Sequence, residues 1–346
     1  VIVCDHHYPG DEIPKAAAVL DPKQPSCSYP YKELSGCGVG FKLIHAFSRV
    51  HGIPFSRIIH YLDLVAVSIA SDIVPLNGEN RILAYYGLKQ LNEAPRTGLK
   101  EIIREAEVCR SLTIEDVVFK IGPRINAAGR MESGSKVVEL LVSSDIKQAA
   151  DISREINSFN LERRTIDRDI TTQAMRMISD DKRAINAKTT VLYNPSWKKG
   201  VIGIVASRLI ETYYRPTVIL TESNGFATGS ARSVQGYDLY QAIESCSDLL
   251  ESFGGHMFAA GLTMKKENIK PFMKRFEQFV TSTITEDQLV PRIFIDSELE
   301  FSEISRDFYN FLTRFQPFGP ENMSPIFMSR RVFDSGTGRM VGASGE

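Results

Sequence analysis

Several things are scarce in this chain, and each scarcity removes a class of protein. Its 346 residues hold one tryptophan and five cysteines. Cys4, Cys27, Cys37, Cys109 and Cys246 are scattered, odd in number and without a Cys-x-x-Cys pair. That pattern argues against a disulfide framework and suits small core residues in a reducing cytoplasm. No apolar run approaches the roughly 20 residues needed to cross a bilayer, and no signal-peptide pattern is present. Net charge is also scarce: 41 Lys plus Arg face 42 Asp plus Glu, a formal charge of −1. A nucleic-acid partner cannot be read from that balance, so any basic surface must be local. What remains is an ordinary globular composition, 43% hydrophobic and 24% charged, of a length that suggests two or three domains.

The most informative stretch is the first. Val1-Ile2-Val3-Cys4 reads as a buried strand of a parallel sheet. It delivers Asp5, His6 and His7 to its carboxyl end, where open α/β sheets place their sites. A central strand rarely begins a natural protein, so the sequence is expected to be a piece of a longer polypeptide. A second buried run, Tyr61–Ala70, is expected to be another strand and ends in Ser71-Asp72-Ile73-Val74-Pro75. Imidazole and carboxylate together suit Mn²⁺, Zn²⁺, Fe or Mg²⁺. Adjacent residues of a regular strand face opposite ways. Either the strand ends at the two histidines and the loop turns the second ring inward, or one ring coordinates while the other serves a supporting role. Asp72 either joins the same cation or caps a helix N-terminus. Four groups are few for two hard cations, which agrees with missing N-terminal sequence.

Helices are expected at 38–50, 79–92 and 98–107, with a proline-bearing loop over 8–31 that holds one short strand near Ala16–Leu20. From Ala149 the apolar positions step by three and four through Met177. This predicts an amphipathic helix of about 35 residues, roughly 50 Å long, which either joins domains or lies flat on one. Near Lys188 a new α/β alternation starts: strands at Thr189–Tyr193, Thr217–Leu220, Phe226–Ala231 and Ala259–Met264, helices at Val201–Tyr213, Leu239–Glu251 and Ile269–Val280. After Pro291 come a strand (Ile293–Phe301), a helix (Ile304–Phe315) and a strand (Pro325–Phe333), too few to close a barrel. The expected class is α/β: two α/β domains with mainly parallel sheets joined by a long helix, plus a partial β-rich OB-type domain. The expected bounds are 1–143, the helix 144–183, then 184–284 and 290–346.

Three segments are built to hold anions. Residues 121–130 (IGPRINAAGR) read as a Gly- and Ala-rich turn carrying Arg124, Asn126 and Arg130; small residues admit close backbone approach and arginine grips phosphate through paired hydrogen bonds. Ser230 and Arg232 end a strand. Gly254 and Gly255 are paired glycines that expose backbone N–H groups beside His256. Turn formation explains any one of these equally well; three beside a metal site favour a phosphodiester substrate. Trp197, next to Lys198 and Lys199, is either an exposed stacking ring for single-stranded nucleic acid or a packing residue.

These pieces together resemble a known family. Asp5-His6-His7 resembles the signature of the DHH phosphoesterases, and residues 68–76 (SIASDIVPL) resemble their fourth motif, whose aspartate binds metal. Trp197-x-x-Gly200-Val201-Ile202-Gly203, Gly229-Ser230-x-Arg232 and Gly254-Gly255-His256-x-x-Ala259-Ala260-Gly261 resemble the associated DHHA1 domain. With residues 124–130 and the Phe318-Gly319-Pro320-Glu321-Asn322 turn, the set resembles the RecJ family of single-strand-specific 5′→3′ DNA exonucleases over essentially the whole chain. The resemblance implies two ions, Mn²⁺ or Mg²⁺. It implies Asp5, His6, His7 and Asp72 as catalytic and metal residues, with Asp5 as ligand or orienter. Arg124, Asn126, Arg130, Ser230, Arg232, Gly254, Gly255 and His256 would bind phosphate or DNA. It also implies single-stranded DNA as substrate in repair and recombination, a single-strand-binding protein and a helicase as partners, no membrane, and a cytoplasmic location. Family members carry two further aspartate motifs ahead of Asp-His-His; no Asp-x-Asp cluster precedes residue 5, so this chain is expected to bind metal poorly and cleave weakly. Alternatives are an oligonucleotide or cyclic-dinucleotide phosphodiesterase of the same superfamily, a manganese pyrophosphatase, or a non-catalytic nucleic-acid-binding protein.

Overall fold

The computed structural model describes residues 1–333 except 11 and 132, together with 336 and 338. Two compact units emerge, Val1–Gly122 with Ile293–Glu346, and Pro123–Arg292.

The first unit opens on two parallel strands, β1 (Ile2–Cys4) and β2 (Ala18–Leu20), with Ile2 opposite Ala18. β1 is not the buried strand expected. It has a single partner in its sheet, and Ile2 is 54% exposed. Helices α1 (Gly36–Val50), α2 (Leu62–Asp72), α3 (Gly78–Glu93) and α4 (Thr97–Glu105) follow. The apolar run at 61–70, expected as a strand, is the helix α2. Leu62, Val65, Ala66, Ile69 and Ala70 are all buried and fall at the i, i+3, i+4, i+7 spacing of one helical stripe. A short apolar run fits either state until its neighbours decide. Here α1 and α3 pack on it. α3 comes close because residue 87 is glycine: a Cβ there would lie 2.3 Å from the Leu62 carbonyl oxygen and 2.6 Å from Ala66 Cβ. A capping box between Thr113 and Asp116 starts the short α5 (Ile114–Asp116), which runs into a π-helical turn at Val117–Ile121.

The second unit carries α6 (Gly122–Met131), α7 (Ser135–Val142), α8 (Ile146–Ser179) and α9 (Lys182–Asn186). Residues 121–130, expected as a turn, are mostly the helix α6. It follows directly on the π-helical turn with Pro123 as its second residue, and Ala127 and Ala128 are buried. The long amphipathic helix is α8, 34 residues. A five-stranded sheet follows in the order β3-β4-β5-β7-β6. Its strands are β3 (Thr190–Tyr193), β4 (Thr217–Ser223), β5 (Phe226–Arg232), β6 (Ser252–His256) and β7 (Ala259–Met264), with α10 (Ile202–Tyr213), α11 (Leu239–Glu244) and α12 (Ile269–Thr283) between or after them. Only β3–β4 is parallel; the other three pairings are antiparallel. The α/β class holds, but the mainly parallel sheet does not. The connections β4–β5 and β6–β7 are hairpins, which force antiparallel pairing. Residues 253–256, where a turn is the alternative reading, lie in β6. α8 and α10 build the core on one sheet face, including Trp197; α11 and α12 cover the other. Trp197 takes the packing role, 4% exposed with its indole N–H donating to Gln173 Oε1 at 3.0 Å.

The C-terminal segment of the first unit holds β8 (Ser297–Glu298), α13 (Arg306–Thr313) and β9 (Phe327–Met328). β8 and β9 pair in parallel over two residues each, so the two long strands expected here are short. The end of the expected OB-type portion, 339–346, lies outside the described residues.

Candidate functional site

Asp5 is the first residue past β1, and its N–H still reaches Leu20 O at 3.0 Å. The ladder ends there and the chain turns. Asp5 Oδ1 receives the N–H groups of His6 (2.7 Å) and His7 (3.3 Å) and bonds His7 Nδ1 at 2.8 Å. The turn draws both rings together, centroids 4.4 Å apart. Ligand atoms of Asp5, His6 and His7 lie within 4.8 Å of one another. Ending the strand is thus how adjacent histidines reach one place. The His7 ring bond, opposed by burial and helped by the two backbone N–H groups, holds the Asp5 carboxyl below its usual range. Binding through Nδ1 leaves His7 Nε2 as the nitrogen for a metal. Asp5 Oδ1 is thus taken up by the turn and the His7 ring, and Oδ2 is the oxygen not used by the turn.

His6 is the more buried ring. Its Nε2 lies 3.1 Å from Asp72 Oδ2. Asp72 is neither at a strand end nor an N-cap; it is the last residue of α2, whose last turn holds no basic residue. A carboxylate at the negative end of a helix dipole is unfavourable without a cation. Asp5, His6 and His7 form a carboxylate–imidazole group of the kind that fits a divalent ion, and Asp72 adjoins it through His6. A nitrogen–oxygen gap of 3.1 Å is what neighbouring ligands share around one ion with bonds of about 2.1 Å. Sequence reasoning missed Gly36, the first residue of α1, where a Cβ would meet His6 Cδ2 at 3.4 Å.

The second unit brings together several of the residues expected to hold phosphate. β5 pairs Ser230 with Gly261 and Arg232 with Ala259 of β7; β6 pairs Gly254 with Gly261 and His256 with Ala259. Directly paired residues share a face, as do residues two apart. Ser230, Arg232, Gly254 and His256 therefore stand on one face, the two rows separated by about 10 Å across β7. Gly254 and Gly261 leave open space between them, since a Cβ on either would touch nothing within 4 Å. Arg232 Nη1 donates to Ser230 Oγ at 3.1 Å and to Ala231 O at 2.8 Å. Burial, then the charge of Arg130, lowers the Arg232 pKa; both effects favour an arriving anion. Arg130 Nη1 donates to Gly200 O at 3.0 Å. Gly203, in the first turn of α10, was missed as a site residue: a Cβ there would meet Ser230 Oγ at 2.9 Å and Arg232 Nη2 at 3.0 Å. His256 Nδ1 accepts the Phe258 N–H at 3.3 Å, so its Nε2 is free to donate. Gly255 has φ 146° and a would-be Cβ 2.3 Å from Ala259 O, so only glycine fits there. Arg124 is turned toward α8, its Nε donating to Asn157 Oδ1 at 3.0 Å, and Asn126 is exposed on α6.

Comparison with known proteins gives three family matches: the DHH family, N-terminal domain, over residues 1–69, the DHHA1 domain over 186–282, and the RecJ OB domain over 295–345. Single-stranded-DNA-specific exonuclease RecJ of Bacillus subtilis is 38% identical over 328 residues, 94% of this chain and 41% of that protein. The Mn²⁺ complex of RecJ from Thermus thermophilus superposes with a TM-score of 0.83 at 29% identity, covering 98% of this chain and 50% of that one. A structure of exonuclease RecJ bound to manganese is 31% identical, with a TM-score of 0.67 over 84% of this chain and 71% of that chain. The chain spans about 40 to 60% of the length of the curated relatives it matches. No helix among the described residues is long and apolar enough to cross a membrane. With all three domain families in order and a relative matched over most of its length, the chain belongs to the RecJ family of DHH phosphoesterases.

Proposed function

We propose that this chain carries the hydrolytic part of a metal-dependent exonuclease that removes nucleotides from the 5′ end of single-stranded DNA, in repair and recombination in the cytoplasm. The supporting observation is the meeting of His6 Nε2 and Asp72 Oδ2 at 3.1 Å, from distant parts of the sequence, beside the Asp5–His7 pair. His6, His7 and Asp72 hold the ions and Asp5 orients His7. Bound Mn²⁺ or Mg²⁺ supplies Lewis acidity and acidifies water. Arg130, Ser230, Arg232 and His256 grip phosphate oxygens and offset their charge, while Gly254 keeps the floor open and Gly255 offers its backbone. Arg124 and Asn126 would contact the strand farther along. The domain reading keeps 1–143 as catalytic, 144–183 as connecting helix, 184–284 as phosphate-gripping and 290–346 as DNA-holding, with a single-strand-binding protein and a helicase delivering substrate. Four metal-site groups are few for two ions, so the isolated chain turns over weakly.

The test uses full-length protein with Mn²⁺ on 5′-labelled single-stranded DNA, duplex DNA and dinucleotides. Single strands are degraded to mononucleotides from the 5′ end, and His7→Ala abolishes cleavage without unfolding the protein. Preference for dinucleotides, or cleavage retained by His7→Ala, would overturn the reading. Full turnover by the 346-residue chain alone would refute the expected impairment.

A further inference from the structure

We propose that Leu76, locked by the Pro317–Asn322 turn, is a positioning residue for Asp72, so that the OB-type segment shapes the metal site without touching it. The inference rests on the metal-site reading above.

Asp72 is followed by a strained link. Ile73 sits at φ 56°, ψ 38°, a left-handed conformation that is strained for a β-branched residue. Such a residue persists only where its surroundings hold it. The residues that follow are pinned from two sides. On one side, the Pro75 carbonyl receives Asn80 Nδ2 at 3.0 Å, and the buried Asn80 also donates to Glu33 O. The Tyr31 hydroxyl donates to Asn77 O and Oδ1 at 3.1 and 2.8 Å.

The other side comes from the turn. The Leu76 N–H donates to Pro320 O at 2.7 Å. The Leu76 side chain is 3% exposed and lies directly over Gly319, where a Cβ would approach its Cδ1 to 2.3 Å. Asn77 Nδ2 donates to the Glu321 carboxylate. Arg81 donates to the Arg314, Phe315 and Gln316 carbonyls that end α13. The turn is itself closed by reciprocal Gly319–Asn322 backbone bonds of 2.9 Å and by Asn322 Nδ2 on Phe315 O and Pro317 O. A rigid turn thus clamps residues 76–81, and those residues hold the strained Ile73 that aims the Asp72 carboxylate at His6. Releasing the clamp lets Ile73 relax and swings Asp72 away.

The experiment measures Mn²⁺ affinity of the full-length protein by the electron paramagnetic resonance of free Mn²⁺, with thermal unfolding alongside. Gly319→Ala drives a methyl group into Leu76 and weakens Mn²⁺ binding about tenfold, the scale of losing an outer partner of a metal ligand. Leu76→Ala removes the same contact from the other side and weakens binding to a similar extent, and the double variant is no weaker than either single one. Should Gly319→Ala fold poorly, Asn77→Asp breaks the rim of the clamp instead. It sets two carboxylates against each other, while aspartate remains a good N-cap for α3; affinity falls several-fold at an unchanged midpoint. Mn²⁺ affinity within twofold of the unaltered protein in both variants overturns the positioning role while leaving the metal site standing. An unaltered protein that binds no Mn²⁺ overturns the metal-site reading itself and this inference with it.

Discussion

Gly203→Ala separates the stability of the second unit from its grip on phosphate. On the helix, the change is favourable: alanine exceeds glycine by up to about 1 kcal/mol in a helix, and residue 203 is the second of α10. At the proposed phosphate site it is not. The added methyl would stand 2.9 Å from Ser230 Oγ and 3.0 Å from Arg232 Nη2. Both are ends of movable side chains, so the fold yields cheaply, but the two atoms proposed to receive an anion are displaced and the methyl occupies the space proposed for it. A hydrogen bond to a charged group contributes about 1.5–3 kcal/mol, and about 1.4 kcal/mol is tenfold in affinity. Losing one such bond therefore weakens binding of a 5′-phosphorylated oligodeoxynucleotide by roughly ten- to a hundredfold. Fluorescence anisotropy without divalent ion, comparing 5′-phosphorylated with 5′-hydroxyl strands, reads the loss. Thermal unfolding should show a midpoint unchanged or raised. A variant that keeps its preference for the phosphorylated strand would refute the phosphate assignment, and a collapsed midpoint would refute the claim that the neighbours yield.

Two further outcomes follow from the first unit, beside the His7→Ala and clamp tests. Burial alone would raise the Asp116 carboxyl, but the Thr113 N–H, Lys120, the Thr113 hydroxyl and the Arg110 charge outweigh it and bring the pKa down to about 2. A carboxyl depressed on folding adds stability that is present above its unfolded pKa and lost as pH falls toward the folded one. Asp116→Asn should thus cost about 2 kcal/mol near neutrality. In urea titrations the gap to the unaltered protein should narrow between pH 4 and the folded pKa; a gap independent of pH would show that the ionised form is not what matters. Gly87→Ala places a methyl against the backbone of α2, which cannot step aside. It should lower stability by about 1–3 kcal/mol, and a thermal midpoint equal to the parent would contradict the packing of α2 on α3.

Part of this protein was legible in one dimension because its causes are local. The run Asp5-His6-His7 states its own chemistry, and the stepping of apolar residues through α8 follows from 3.6 residues per turn. Helices α3, α10 and α12 likewise carry their periodicity and ends in the sequence. The 61–70 run was misread because apolar residues with few breaks satisfy both periods; the packing of α1 and α3 around it made it a helix and put Asp72 at a helix end. Gly254-Gly255-His256 left a turn open as an alternative because glycine marks turns and open strands alike; it lies in β6.

Sequence alone determined which groups are candidates for the work: imidazoles and carboxylates for a cation, arginine, serine and glycine for phosphate. Tertiary structure alone decided where they stand. Strand register set Ser230, Arg232, Gly254 and His256 on one face, helix packing brought Asp72 to His6, and the approach of α10 gave Gly203 its purpose. The physical reason is that side-chain chemistry belongs to a residue, whereas the distance between two residues far apart in the chain belongs to the packing of everything between them.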